Sequence, residues 1–184
     1  MKPTKLPHKR FPLILTMLLL VCFGLQAQSK NLVVIDSQFP DKEQVISSLS
    51  SNEMVLELTG SSNPWSEIRK KLESNKSIKT IHLFANASYN ALQIGGLTYD
   101  VNSVNDEFEL SMLEGLYQGE HLQLLIYNCN LASNVDGLAL IKAIGEKAYF
   151  NVGACTTCVS IFDNTFQFDY WSINQTVSNS ILKQ

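Results

Sequence analysis

Three features of the sequence predict an α/β fold, a three-layer α/β/α sandwich around a mostly parallel sheet. Short apolar runs rich in β-branched residues recur along the chain, stretches with helical spacing separate them, and small polar residues collect just after the apolar runs. Parallel neighbours need a crossover that covers the sheet, so this alternation implies β-α-β units.

Leu32 to Asp36 (LVVID) is the first apolar run, ended by Asp36-Ser37 and then Pro40, and reads as a buried strand. Asp41 to Leu49 has helical spacing, and Met54 to Leu58 is the second strand. Asn63-Pro64 opens a helix through Leu72, with Asn63 as N-cap and Pro64 in the first turn, where its missing N–H costs nothing. Ile81 to Ala85 is the third strand. Ala91 to Ile94 and Leu97 to Tyr99 flank Gly95-Gly96, a tight-hairpin signal. A helix is expected from about Asn105 to Tyr117, with Phe108, Met112, Leu113 and Leu116 on its buried stripe. Leu122 to Tyr127 is the fourth long strand, and Ser133-x-x-Asp136 resembles a capping box opening a helix through Ala148. Tyr149 to Gly153 returns as a fifth strand. After Cys158 the pattern changes: Phe166, Phe168 and Tyr170 alternate as in a half-exposed strand, and Val177 to Leu182 is expected as a short helix.

The chain begins with a secretory pattern. Lys2, Lys5, Lys9 and Arg10 precede an almost wholly apolar run from Phe11 to Leu25, and Gln26-Ala27-Gln28 offers a small residue for cleavage. Residues 1–27 are thus expected to be a signal peptide and residues 28–184 a single exported α/β domain, periplasmic, at the cell surface or extracellular. The run of about 15 apolar residues is short for a membrane span, and no later segment is longer. Lipidation at Cys22 is disfavoured by the branched Val21 before it and by Phe23 continuing the apolar run. The signal holds four of the chain's 14 basic residues and none of its 17 acidic ones, so its removal moves the net charge from −3 to −7. Such a surface does not attract nucleic acid.

In open parallel sheets ligands gather beyond the carboxyl ends of the strands. The sequence places Asp36 and Ser37, Asn86 and Ser88, Asn128, Cys129 and Asn130, and finally Cys155 and Cys158 after successive strands. Small polar residues also end strands simply because they turn the chain.

The runs Ile81 to Ser88 (IHLFANAS), Ala91 to Gly95 (ALQIG) and Leu124 to Ala132 (LLIYNCNLA) resemble the family called domain of unknown function 4347, and Leu32 to Ser37 (LVVIDS) fits it as well. The resemblance covers roughly residues 31–155. It implies a fold similar to the caspase and gingipain group of cysteine peptidases, whose third strand ends in Ser-His-Gly and fourth in Gly-Cys. Carried over by position, the cysteine falls on Cys129 and the histidine on Asn86, while the flanking glycines fall on Ala87 and Asn128. The resemblance therefore implies a site that keeps its cysteine and has lost its base. Its vestigial candidates are Cys129, Asn86, Asp36, Asn128, Asn130 and Ser88.

An asparagine cannot take a proton from a thiol whose ordinary pKa is about 8.5. Two other histidines follow the signal. His82 lies four residues before Asn86, about 13 Å down an extended strand, and His121 precedes the fourth strand at the opposite end of the sheet. Both are expected to be structural or merely exposed. Of the three cysteines after residue 27, Cys155 and Cys158 form a close pair, expected as a disulfide that leaves Cys129 over. A redox pair and a metal site of Cys129, Cys155 and Cys158 are the alternatives.

The leading expectation is an exported, non-enzymatic, degenerate caspase-like domain, a binding or accessory module with a surface protein or a polysaccharide as partner and no cofactor. A cysteine hydrolase using Cys129 with Asp36 or a water as base is the enzymatic alternative. A thiol or metal module at Cys155 and Cys158 is the third.

Overall fold

A computed structural model describes residues 31–117 and 119–182, so the expected signal peptide and Cys22 lie outside the described residues. The apolar runs form the strands β1 (Asn31–Asp36), β2 (Met54–Leu58), β3 (Thr80–Phe84), β7 (Leu122–Ile126) and β8 (Phe150–Ala154). With β9 (Tyr170–Trp171) they make one sheet in the order β2-β1-β3-β7-β8-β9, parallel except for β9. Between β3 and β7, three short strands β4 (Asn86–Ala87), β5 (Leu92–Ile94) and β6 (Leu97–Tyr99) form a separate antiparallel sheet.

The strand alternation divides the apolar residues between two cores, one on each face of the sheet. On one face Leu32, Val34, Ile81, Leu83, Leu124 and Val152 pack with Trp65, Ile68 and Leu72 of helix α2 (Pro64–Ser74) and Leu140, Ile141 and Ile144 of helix α5 (Val135–Ala148). On the other, Val33, Ile35, Phe84 and Leu125 meet Val45 of helix α1 (Lys42–Ser48) and Phe166, Phe168 and Trp171 of the C-terminal segment. The fold is the expected three-layer α/β/α arrangement, its second outer layer made of one short helix and irregular chain. No helix among the described residues is long and apolar enough to cross a membrane.

Local chemistry sets the element ends. Asn63 caps α2 by accepting from the Ser66 amide at 3.1 Å, with Pro64 at the first helical position. The cap of α5 is Asn134 rather than the expected Ser133: its side chain accepts from the amides of Asp136 (2.9 Å) and Gly137 (3.2 Å), and Ser133 belongs to a 3₁₀ turn over Leu131–Ser133. Helix α5 ends on Tyr149 in the left-handed region (φ 59°), which delays β8 by one residue relative to expectation.

Three further expectations are corrected. The single helix from Asn105 to Tyr117 is instead α3 (Val101–Asp106), α4 (Phe108–Ser111) and a 3₁₀ turn (Glu114–Tyr117). Extended Glu107 breaks it, because its carboxyl group caps Glu109 N (3.0 Å) and also accepts from Asn63 Nδ2 and Tyr99 Oη at 3.0 Å each. The break turns the expected stripe, so that Leu110 and Leu113 are buried while Phe108 and Met112 face solvent. From Phe166 to Phe168 the expected alternation of buried and exposed residues is present, but it lapses at half-buried Asp169 and Tyr170, and only Tyr170–Trp171 pairs with β8. Gly153 makes that pairing possible, since the Trp171 ring stands 2.9 Å from where a β-carbon would be. Val177 to Leu182 forms no helix. Asn151 Nδ2 holds the chain just before it, on Asn174 O and Thr176 Oγ1, and the segment itself is tied down by the Ile181 amide on Tyr127 Oη and by buried Leu182.

Candidate functional site at the carboxyl edge of the sheet

Asn86 and Cys129 stand three residues beyond the paired positions Leu83 and Ile126 of the adjacent parallel strands β3 and β7. They share the lining of one cavity of about 230 Å³, with Phe39, Tyr127, Asn128 and Ile161. A second cavity, of about 220 Å³, opens on the other side of Asn86 between Asp36, Gln38, Gln93, Gly96 and Thr98. Asn86 is the residue common to both, so the two lie side by side along the carboxyl edge. A larger cavity of about 400 Å³ between Asn164, Phe166, Gln167 and Leu182 contains none of the sequence-derived site residues.

Cys129 is not a free thiol. It is bonded to Cys158, with Cα atoms 5.1 Å apart, and among the described residues Cys155 is the free cysteine, buried in the core. This corrects the expected Cys155–Cys158 pairing, and the reason lies in strand periodicity and loop anchoring. Cys155 continues the β8 alternation into the core that holds Leu125, Tyr127 and Phe168. The Thr156 amide and hydroxyl both donate to the Asp169 carboxyl group at 2.8 Å, turning the chain so that Cys158 meets the end of neighbouring β7. Closeness in sequence does not decide pairing when alternate positions point to different places. The same bond removes the alternative of a three-thiolate metal site of Cys129, Cys155 and Cys158. Among the described residues no group of three or more His, Cys, Asp or Glu side chains could hold a metal ion.

The remaining candidates hold backbone. Asp36 is 4% exposed; its Oδ1 accepts from Gln38 N (2.8 Å) and its Oδ2 from Gly95 N (2.6 Å), so it clamps the loop after β1 to the β5–β6 hairpin. Both oxygens are engaged, and Asp36 is poorly placed to serve as a base for Cys129. Asn86 Nδ2 donates to Gln38 O at 3.2 Å. Asn128 Oδ1 accepts from Asn130 N (2.9 Å) and Leu131 N (3.1 Å), while its Nδ2 reaches Ala85 O at 3.4 Å. The Asn130 carbonyl accepts from the Ser133 hydroxyl, and Ser88 closes the β4–β5 turn through Ser88 N to Ala91 O (2.9 Å).

Neither histidine serves Cys129. His82 is buried in β3, with Nδ1 2.9 Å from Tyr127 Oη, and desolvation lowers its pKa from 6.5 to about 4. Burial raises the Tyr127 hydroxyl to about 12. Because Tyr127 Oη accepts from Ile181 N (2.9 Å), its own proton is available to the neutral His82 nitrogen. His121 stacks on Tyr149 at the amino end of β7, with Nδ1 3.2 Å from Tyr149 O.

Gln93 and Thr98 were absent from the sequence-derived site. Asn86 is paired with Gln93 and Gln93 with Thr98, so three polar residues form one row across the small sheet, opposite a buried row of Leu92 and Tyr99. The signal for this was present. A two-residue Gly95-Gly96 turn, both residues at positive φ (59° and 74°), fixes Ile94 opposite Leu97 and hence Gln93 opposite Thr98.

A family model described as "Domain of unknown function (DUF4347)" matches residues 32–170, extending past the expected boundary at 155 to include the Cys158 loop and the start of β9. No curated protein matches the chain, and no solved structure does. With the match running from β1 to the start of β9, over more than half of the chain, the chain belongs to the DUF4347 family.

Proposed function

We propose that this is an exported, non-enzymatic binding or accessory domain, built on a caspase-like scaffold whose catalytic base has been replaced by Asn86. The observation that carries this reading is the Cys129–Cys158 disulfide. A sulfur held in a disulfide cannot act as a thiolate nucleophile. Asn86 adds support, because an amide has no proton-transfer function near neutral pH. The disulfide also favours the export reading, since such bonds persist in oxidising compartments outside the cytosol. The basic and apolar lead of residues 1–27 points the same way.

The test is hydrolysis. Purified protein, oxidised and then reduced, is incubated with peptide substrates bearing basic, acidic and apolar residues before the scissile bond. No turnover is expected in either state, and Cys129→Ala should not change that outcome. Thiol-dependent cleavage abolished by Cys129→Ala would replace this reading with a cysteine hydrolase.

A further inference from the structure

We infer that the row Asn86–Gln93–Thr98, with the adjoining cavity, is a binding site for a neutral saccharide. This rests on the reading of the chain as a binding domain and names the ligand class of that site.

The small sheet presents two different faces. Leu92 and Tyr99 point into the core, while Gln93 and Thr98 are exposed and Asn86 is half-buried beside them. Directly paired residues place their side chains about 5 Å apart, so the row spans about 10 Å from Asn86 to Thr98. Among the described residues, neither the Gln93 nor the Thr98 side chain makes a hydrogen bond to protein, and Asn86 uses only its Nδ2, on Gln38 O. The row therefore offers amide and hydroxyl groups that each donate and accept. Ligand hydroxyls donate and accept as well and can use that duality, and ligand sites fix orientation with a few such convergent polar groups.

Charge narrows the class. The two cavities that meet at Asn86 are lined by no Lys or Arg, and their ionisable side chains include Asp36 and Asp41. Nothing there compensates a phosphate, sulfate or carboxylate on the ligand. The row also differs from what the other neutral candidate, an extended peptide, would use. An extended peptide recognised by strand addition bonds to main-chain groups along a sheet edge. Here the free polar groups are side chains standing on the face of the sheet, aligned across its three strands.

The full chain, with its disulfide intact, is titrated with neutral hexose and N-acetylhexosamine oligosaccharides and with uronic-acid oligosaccharides of equal length. Binding is followed through the side-chain amide resonances of Asn86 and Gln93. Neutral oligomers should shift both amides saturably and independently of salt, and the uronic-acid series should bind more weakly. Gln93→Ala and Thr98→Val, both at exposed positions, should each weaken binding about threefold to tenfold, the worth of one hydrogen bond. The assignment is overturned if no neutral oligomer shifts these amides at millimolar concentration, if the variants bind as the parent does, or if an extended peptide occupies the row more tightly. Cleavage of a bound oligosaccharide would uphold the site while defeating the non-enzymatic reading. Absence of binding in a protein that also leaves peptides intact would defeat the site and leave that reading in place.

Discussion

Cys129 and Cys158 are joined across a sequence separation of 29 residues, with Cα atoms 5.1 Å apart, and the bond ties the loop after β7 to the loop after β8. Closing a loop of that length restricts the unfolded chain by about 3.5 kcal/mol in the chain-entropy account. Reduction, or the double change Cys129→Ser and Cys158→Ser, should therefore lower unfolding free energy by about 2–4 kcal/mol. Denaturant titration of oxidised and reduced protein checks this. Equal midpoints in the two states would contradict the assigned pairing.

Cys155 gives the complementary prediction. It is 2% exposed and sits among Tyr127, Phe168 and Trp171. Thiol reactivity requires access as well as ionisation. An alkylating reagent should leave Cys155 unmodified in the folded protein and modify it fully in denaturant, with peptide mapping showing Cys129 and Cys158 still linked. Rapid labelling of Cys155 under native conditions would count against its burial.

The difference between legible and illegible features has a physical basis. The parallel sheet could be read because each core strand is a nearly continuous apolar run, and the hairpin because Gly95-Gly96 tolerates two successive positive φ angles. Asn86 and Cys129 could be placed just beyond the third and fourth long strands from the apolar runs, and the family resemblance set them side by side as one site. What could not be read depended on contacts between distant segments. Glu107 breaks a helix that periodicity would continue because Asn63 and Tyr99 reach it, and Cys158 leaves Cys155 because Asp169 holds Thr156. The C-terminal segment lacked a local signal for the same reason. Its position comes from Tyr127 and Asn151, neither of which is near it in sequence.

His82 makes the fold acid-sensitive. Its pKa is about 4 in the folded protein against 6.5 for an ordinary histidine, with burial as the cause. As pH falls from about 6.5 to about 4, the unfolded chain takes up a proton that the folded chain refuses, so stability falls across that window. It is fully present above the window, and His82 removes no more below it. The full difference corresponds to about 3 kcal/mol. Urea unfolding of parent and His82→Gln at pH 7.5 and 4.5 isolates the contribution from that of the carboxyl groups. The variant should lose markedly less stability between the two pH values, and an identical loss in both proteins would refute the role given to His82.

Asp36 joins the loop after β1 to the turn of the β5–β6 hairpin. Its oxygens accept from Gln38 N at 2.8 Å and Gly95 N at 2.6 Å, and the residue is 4% exposed. Removing a buried acceptor leaves its donors without partners, at about 1–3 kcal/mol for each group so stranded. Asp36→Ala should therefore destabilise the protein by about 2–4 kcal/mol. It should also speed hydrogen exchange at the Gly95 and Gln38 amides beyond the change seen elsewhere. Asp36→Asn keeps one acceptor oxygen but turns an amide NH₂ toward the other donor, so it should recover only part of the loss. Because the hairpin carries Gln93 and Thr98 opposite Asn86, Asp36→Ala should also loosen that row. The Asn86 and Gln93 side-chain amide resonances should broaden or move toward solvent-like values. A stability change within about 0.5 kcal/mol of the parent, the range ordinary for surface substitutions, would show that the clamp is not what holds the hairpin against the sheet.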